Sequence, residues 1–294
     1  MKQPRIAAFP KCYMDELCVH HTMTVPEWID IASTLGVDGL EFYAGFMQTN
    51  PEWVADIKQR LNHYGLAMPM LCCSPDFTSD DIAGEVKREI EWIKLTAQFS
   101  GKYCRVLSGQ RRPDLTTEQG LDRVSHAIKQ CLQAAEDYDV TLILENHYKD
   151  NYWTFPEWAQ SSERIAALMA RIDHPRFMIN YDPSNAFLAG EDPLDVLEVV
   201  KHRVVTMHAS DRTLLYGTIE DLRNEEDDAV GYAKRLSHGE IGKGLNNYDS
   251  IFTILRDAGR IPDWISIEDG MNGIDELKRS VQFVRSKVNE HFPA

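Results

Sequence analysis

Four polar residues stand at the ends of short apolar runs in the second half of the chain, where a strand core has no use for them. They are Glu145, Asp182, His208 and Glu268. Three carboxylates and one imidazole brought together would repel one another and lose hydration. A divalent cation among them would compensate that cost. The pattern therefore predicts one metal site that uses all four side chains as ligands.

Mixed oxygen and nitrogen ligands suit Mn²⁺, which we expect here, and Mg²⁺, Co²⁺, Fe²⁺ and Zn²⁺ are alternatives because ligand type alone rarely selects a metal. Each residue taken singly has an ordinary explanation. Glu145 or Asp182 would cap a helix or pair with a cation, and His208 would be a hydrogen-bonded core histidine. Capping has no reason to select all four at successive strand ends, so the metal site is the better interpretation.

The elements that position these residues follow a regular order along the chain. Short β-rich runs alternate with longer amphipathic stretches, which is typical of repeated β–α units. Eight strands each followed by a helix predict an α/β fold, a (β/α)₈ TIM barrel, in which neighbouring strand ends meet at one rim. The predicted strands are 5–10, 39–43, 67–73, 103–108, 141–147, 177–182, 204–210 and 264–269, and the predicted helices are 25–35, 51–64, 80–99, 117–138, 161–172, 193–201, 248–258 and 274–289.

The alternation runs through the chain without a linker or a low-complexity segment, so we expect a single TIM-barrel domain over residues 1–294. Its longest interruption is the segment 211–245 after the seventh predicted strand, which includes the charge-rich stretch 220–228. That segment is placed on the C-terminal face, where a lid or substrate loop would lie. A solvated surface excursion is the alternative.

Charge and composition exclude several classes of partner. The chain of 294 residues has 46 acidic and 31 basic residues and a formal net charge of −15. This field would repel a nucleic-acid backbone or an anionic membrane, so neither is an expected partner. No run reaches the roughly 18 apolar residues of a membrane helix, and we expect a cytoplasmic protein. The six cysteines lack metal-site spacing and are expected to be reduced thiols.

Five motifs carry a resemblance to a known family: residues 36–41, 144–146, 181–185, 207–211 and 239–244. They match the second, fifth, sixth and seventh strands and a late glycine-rich turn of that family. The chain resembles the xylose isomerase-like TIM-barrel superfamily, and within it the sugar phosphate isomerase/epimerase group with its ketose epimerases and hydroxypyruvate isomerases. The resemblance covers essentially the whole length.

In the epimerases that this chain resembles, two glutamates touch the metal and exchange protons with a carbon next to a carbonyl. The resemblance therefore implies Glu145 and Glu268 as the acid/base pair, with Asp182 and His208 as further ligands. A C–H bond beside a carbonyl becomes acidic when a metal polarises that carbonyl and stabilises the enediolate. The expected activity is that of a metal-dependent sugar isomerase or epimerase.

Several neighbours of the predicted site are candidates for binding the sugar. His147 shares the Glu145 side of an extended chain, so it is also a candidate second base or a donor to a metal ligand. Arg212 would bind a hydroxyl or carboxylate unless it pairs with the acids of its own loop. Glu41 would contact sugar hydroxyls unless it makes a structural hydrogen bond. The remaining candidates are His238 and Lys243 in the late loop, and Trp153 with Phe155 as an apolar wall.

One residue departs from the family pattern. Many relatives have a histidine three residues after the sixth-strand aspartate, where this chain has Asn185. An amide binds a hydroxyl but does not exchange protons, so the step itself can differ. With His147 nearby, the alternative activity is β-elimination by a metal-dependent lyase or dehydratase acting on a keto-sugar or an oxidised glycoside.

Two other classes fit less well. A DNA-repair endonuclease would need more histidines and a basic groove, and a non-catalytic barrel would have no reason to keep four ligand types. The expected partner is a small sugar-like molecule. Self-association into a homo-oligomer is compatible with the sequence.

Overall fold

Parallel strands form a barrel in the computed structural model, which describes residues 3–150, 153–223 and 234–293. The barrel sheet contains nine segments, of which two are the halves of one strand interrupted at Glu41. One half pairs with the first strand and the other with the third, and Leu40 N donates to Ala67 O at 2.8 Å. The eight strands are β1 (Arg5–Ala8), β2 (Gly39–Leu40 with Phe42–Tyr43), β3 (Met70–Cys72), β4 (Tyr103–Val106), β5 (Thr141–Glu145), β6 (Phe177–Tyr181), β7 (Val204–Ala209) and β8 (Trp264–Ile267).

Helices follow the strands as predicted, and the TIM-barrel fold is confirmed. Side-chain caps set several of their starts: Thr24 and Thr116 each form a capping box, with Glu27 and Gln119, which satisfies backbone N–H groups of the first turn. The helices are α1 (Val25–Ala32), α2 (Pro51–His63), α3 (Ile82–Gln98), α4 (Thr117–Asp137), α5 (Ser162–Arg171), α6 (Pro193–Val200), α7 (Tyr248–Asp257) and α8 (Ile274–His291).

The connections on the C-terminal face contain short elements that no periodicity predicted. A 3₁₀ turn, Lys11–Tyr13, and a short helix, Met14–Cys18, follow β1. In the segment 211–245, strands Arg212–Leu214 and Leu236–His238 pair as an antiparallel hairpin. The predicted charge-rich stretch 220–228 is described only to residue 223, in a short helix, and its remainder lies outside the described residues.

Apolar side chains fill the N-terminal part of the barrel interior. Ala7, Met70, Tyr103, Ile143 and Trp264 are buried against one another there. Since alternate residues of a strand face the same side, the next inward positions of β4, β5 and β8 carry Arg105, Glu145, and Ser266 followed by Glu268. The polar groups are therefore concentrated at the C-terminal end of the barrel. A separate apolar layer packs between the strands and the surrounding helices.

The six cysteines, all among the described residues, are free thiols. Cys72 points to Glu41 inside the barrel, at 2.7 Å from Oε1, whereas Cys73 lies 3.8 Å from Cys104. No helix in the described part of the chain is both long and apolar enough to cross a membrane.

Candidate metal and substrate site

The structure brings together the four residues predicted as metal ligands. Ligand atoms from Glu145, Asp182, His208 and Glu268 all lie within 4.8 Å of one another, at the C-terminal ends of β5 to β8. His208 Nδ1 is 3.3 Å from Glu145 Oε1 and 3.0 Å from Glu268 Oε2. Three of the four residues are completely or almost completely buried, and Glu268 keeps a small exposed surface.

A buried carboxylate orients the imidazole of His208 on the side away from the other three predicted ligands. Its Nε2 lies 3.1 Å from both carboxylate oxygens of Glu41, which is itself fully buried. Its Nδ1 is buried and makes no hydrogen bond. An Nε2–H donated to Glu41 leaves the Nδ1 lone pair facing the three carboxylates, which is the arrangement of a metal-binding histidine backed by a carboxylate. This donor set fits a divalent cation.

Asp182 is fixed by its backbone and by neighbouring hydroxyl and amide groups. It caps the short helix Pro183–Leu188, and its Oδ1 accepts hydrogen bonds from Ser184 N at 2.8 Å and Ser210 Oγ at 2.6 Å. Burial, together with the negative charges of Glu268 and Glu145, raises the pKa of Asp182 to about 7. The raised pKa expresses the cost of burying Asp182 and of crowding three carboxylates, which a bound cation would offset.

Arg105 is a member of this site that sequence reasoning missed. Its Nη1 donates to Glu145 Oε2 at 2.7 Å, and its Nε and Nη2 donate to Cys73 O and Ser74 Oγ, each at 3.2 Å. Burial by itself would raise the pKa of Glu145, but the charges of His208 and Arg105 lower it to about 2. A signal was present, because Arg105 is a charged residue inside the apolar run of β4.

Lys11 is the second residue that was missed. Its Nζ donates to Glu268 Oε1 at 3.0 Å. Burial raises the pKa of Glu268, but Lys11 and His208 outweigh that effect and hold it well below its usual range. No sequence signal pointed to Lys11, since it lies in a segment without strand or helix periodicity.

Asn185 lies against Glu145 and is almost completely buried. Its Nδ2 donates to Glu145 Oε1 at 3.1 Å. Both oxygens of Glu145 therefore have hydrogen-bond donors, one from Asn185 and one from Arg105.

A cavity of about 660 Å³ adjoins the four-residue cluster at Glu268, which lines it, whereas Glu145, Asp182 and His208 are not among its described lining residues. Its polar lining comprises Lys11, Arg105, His147, Lys149, Asp150, His238 and Glu268, besides three polar residues near its mouth, Asp15, Glu16 and His20. Of the residues predicted to bind substrate, His147 and His238 are in this lining. The other four predicted residues, Glu41, Asn185, Arg212 and Trp153, are not among the described residues that line the cavity.

The contacts of Glu41 fit the structural alternative expected for it, since Glu41 lies against His208 Nε2. Among the described residues, the carboxylate that pairs with the guanidinium of Arg212 is that of Asp269, which follows β8 and lies outside the loop of Arg212. Arg212 Nη1 donates to Asp211 O at 3.0 Å and lies 2.9 Å from His238 Nδ1 and 3.6 Å from Asp269 Oδ1. Trp153 has a backbone hydrogen bond to Asp150 O and is partly buried.

Two of the three histidines in the cavity lining, His147 and His238, each have a carboxylate partner. His147 Nδ1 lies 3.5 Å from Glu157 Oε2, and the other oxygen of Glu157 accepts from Ser108 N at 2.8 Å. Burial lowers the pKa of His147, but the charges of Glu145 and Glu157 overcome this and raise it. His238 Nδ1 lies 2.9 Å from Asp269 Oδ1, and burial lowers its pKa.

Known proteins similar to this chain include dehydratases and an epimerase-like protein. An inosose dehydratase from Clostridium botulinum is 20% identical over 216 residues, a match that covers 71% of this chain and 64% of that protein. The probable 3-DHS dehydratase AsbF of Bacillus anthracis has a TM-score of 0.72 and 18% identity, covering 96% of this chain and 98% of that one. A D-tagatose 3-epimerase-like protein has a TM-score of 0.75 and 16% identity, covering 97% and 98%.

A similar structure that contains a metal is a xylose isomerase-like TIM barrel protein from Mycobacterium smegmatis in complex with magnesium. It has a TM-score of 0.73 and 12% identity, and the alignment covers 99% of each chain. The family model described as xylose isomerase-like TIM barrel matches residues 29–287. With the barrel and the four converging residues established, this match shows that the chain belongs to the xylose isomerase-like TIM barrel family.

Proposed function

We propose that this protein is a metal-dependent enzyme that removes a proton from a carbon next to a carbonyl in a sugar-like substrate. The observation that carries the proposal is the cluster of Glu145, Asp182, His208 and Glu268, which meets at Glu268 a cavity lined by further proton-carrying groups. A divalent cation held by these four residues, Mn²⁺ in the first instance, would supply the positive charge that stabilises a developing oxyanion.

The positions of the proton-carrying groups around the cavity favour elimination over isomerisation, the activity expected from the sequence. Exchange between two glutamates requires both to reach the substrate carbon. Glu145 has no exposed surface, and both of its oxygens accept hydrogen bonds. The side chains of Glu268 and His147, which line the cavity, are 11% and 16% exposed. The base that reaches the substrate from the β5 side is therefore His147.

In this proposal His147 accepts the proton from the carbon, while Glu157 stabilises the imidazolium that forms. The electron pair of the C–H bond forms a carbon–carbon double bond, and the bond to the leaving oxygen breaks. Lys11 enters the cavity from the β1 side and delivers a proton to that oxygen. The names of the two similar dehydratases support this scheme, and the epimerase-like neighbour makes epimerisation the second candidate.

Proton NMR in D₂O separates the two outcomes. The protein, loaded with Mn²⁺ and freed of excess metal before each spectrum, is incubated with a panel of keto-sugars and keto-glycosides. We expect loss of a β-hydroxyl or β-alkoxyl group and a new vinylic signal. Deuterium at one carbon with an intact skeleton would instead support epimerisation and contradict elimination.

His147→Asn removes the proposed base and keeps a polar side chain. We expect the rate to fall by about 10²- to 10⁴-fold, the usual contribution of a general base, with an unchanged metal content. His126→Asn, on the exposed face of α4, is the matched control. A rate within about threefold of the parent protein would remove His147 from the mechanism.

Glu41→Gln tests whether His208 is oriented for a metal. A neutral amide orients the imidazole less strongly, so we expect metal affinity to fall by about 10- to 100-fold. Competition with a chelating dye measures this change. Glu89→Gln is the control, because Glu89 is equally buried but contacts Cys104 on the outer side of the barrel. Equal affinities in the two variants would show that Glu41 has no such role.

A further inference from the structure

The cavity beside the cluster has two chemically different sides. In the strand order of the barrel, β1 and β5 lie opposite each other. The β4 and β5 side contributes Arg105, His147, Lys149 and Asp150, which are all polar. The opposite side is built by residues that follow β1 and β8, and much of it is apolar.

We use the term apolar wall for six residues of that opposite side. Its most exposed members, Val19 and Met271, are 53% and 46% exposed. Single exposed apolar side chains are ordinary, but two of this size bordering one cavity mark a surface that an apolar ligand would cover. The apolar wall consists of Phe9, Cys12, Met14, Cys18, Val19 and Met271.

We propose that the substrate has two parts: a sugar ring bearing the carbonyl, which lies over the metal cluster, and an uncharged apolar group, such as an aromatic aglycone, which lies against the apolar wall. The placement of the sugar rests on the proposed function. The volume of about 660 Å³ is in the range that encloses drug-sized ligands and exceeds what one sugar ring fills. Asp15 and Glu16 line the same side, and the ammonium group of Lys11, also on that side, donates to Glu268, so a phosphate or carboxylate on the second part is disfavoured.

Calorimetric titration of the Mn²⁺-loaded protein with methyl and phenyl β-glucosides tests the second part directly. These probes lack the ketone, so they bind without reacting. Burying a group of phenyl size contributes enough to predict about 10- to 100-fold tighter binding of the phenyl glucoside. In the double variant Val19→Ser with Met271→Ser this preference is expected to fall below about threefold.

Val199→Ser is the matched control, because Val199 is similarly exposed but lies on α6, away from the cavity. Equal binding of the two probes, binding of neither, or a preference that survives in the double variant would overturn the proposal. The proposed function has a separate readout. If no keto-glycoside reacts in D₂O although the phenyl preference is present and depends on Val19 and Met271, proton chemistry is rejected and the two-part site stands.

Discussion

Glu268→Gln is expected to leave the barrel folded while the protein loses most of its bound metal and about 10³-fold of its activity. Glu268 supplies one of the four converging donors, and its Oε2 lies 3.0 Å from His208 Nδ1. An amide oxygen carries no charge, so the cluster would lose one of the negative charges that attract a cation. Lys11, which donates to Glu268 at 3.0 Å, would lose the negative charge of this partner, and its own positive charge would then oppose a cation at the site.

Elemental analysis after gel filtration, with circular dichroism for folding, measures this result. Glu52→Gln is the control, since Glu52 is exposed in the first turn of α2. We expect about one equivalent of metal in the parent and control proteins. If Glu268→Gln keeps its metal and its rate, the assignment of Glu268 as a ligand fails, whatever the other three residues do.

The four converging residues could be predicted because barrel geometry makes strand ends adjacent. A polar residue at the end of an apolar run can be recognised in the sequence, and closure of the barrel brings such positions to one rim. The element order alone gave the eight strands and helices. Their exact limits differ, for instance at β3, which is Met70–Cys72 where 67–73 was predicted, because hydrogen-bonded pairing is not visible in composition.

Depth along the barrel axis explains why some residues predicted to bind substrate are not among the described residues that line the cavity. Glu41 and Glu145 both end strand-like runs and both are fully buried, but Glu41 contacts His208 Nε2 whereas Glu145 lies near His208 Nδ1 with the other predicted ligands. Asn185 lies one helical turn after Asp182 and is directed to Glu145 rather than outward. Which of two inward positions reaches solvent depends on strand register and stagger, and the sequence states neither.

The missed contact of Arg105 depends on the same register. β4 pairs with β5 so that Arg105 lies opposite Ile143, and the guanidinium reaches Glu145 two residues further on. A pair that spans 40 residues cannot be inferred from spacing. Its consequence for stability, however, can be derived from the contacts.

Arg105→Met is expected to destabilise the metal-free protein by about 3–5 kcal/mol, the usual loss when one partner of a buried ion pair is removed. Methionine retains an unbranched apolar stem of similar length, so little packing is lost. Glu145 would remain fully buried with Asn185 as its hydrogen-bond donor and with no guanidinium beside it. Urea unfolding in the presence of a chelator measures the loss.

Bound metal should reduce that loss, because a cation next to Glu145 compensates the same negative charge that Arg105 now compensates. A ligand that binds only the folded state stabilises it more the tighter it binds. Mn²⁺ is therefore expected to raise the unfolding free energy of Arg105→Met by more than that of the parent protein, in which the guanidinium opposes the cation. Arg60→Met is the control, because Arg60 pairs with Asp30 at 2.7 Å on the partly exposed surface. A surface pair of this kind contributes about 0–1 kcal/mol, with or without metal. An equal loss for Arg105→Met in both conditions would mean that Arg105 and the cation do not share Glu145, and the metal would then have to lie elsewhere.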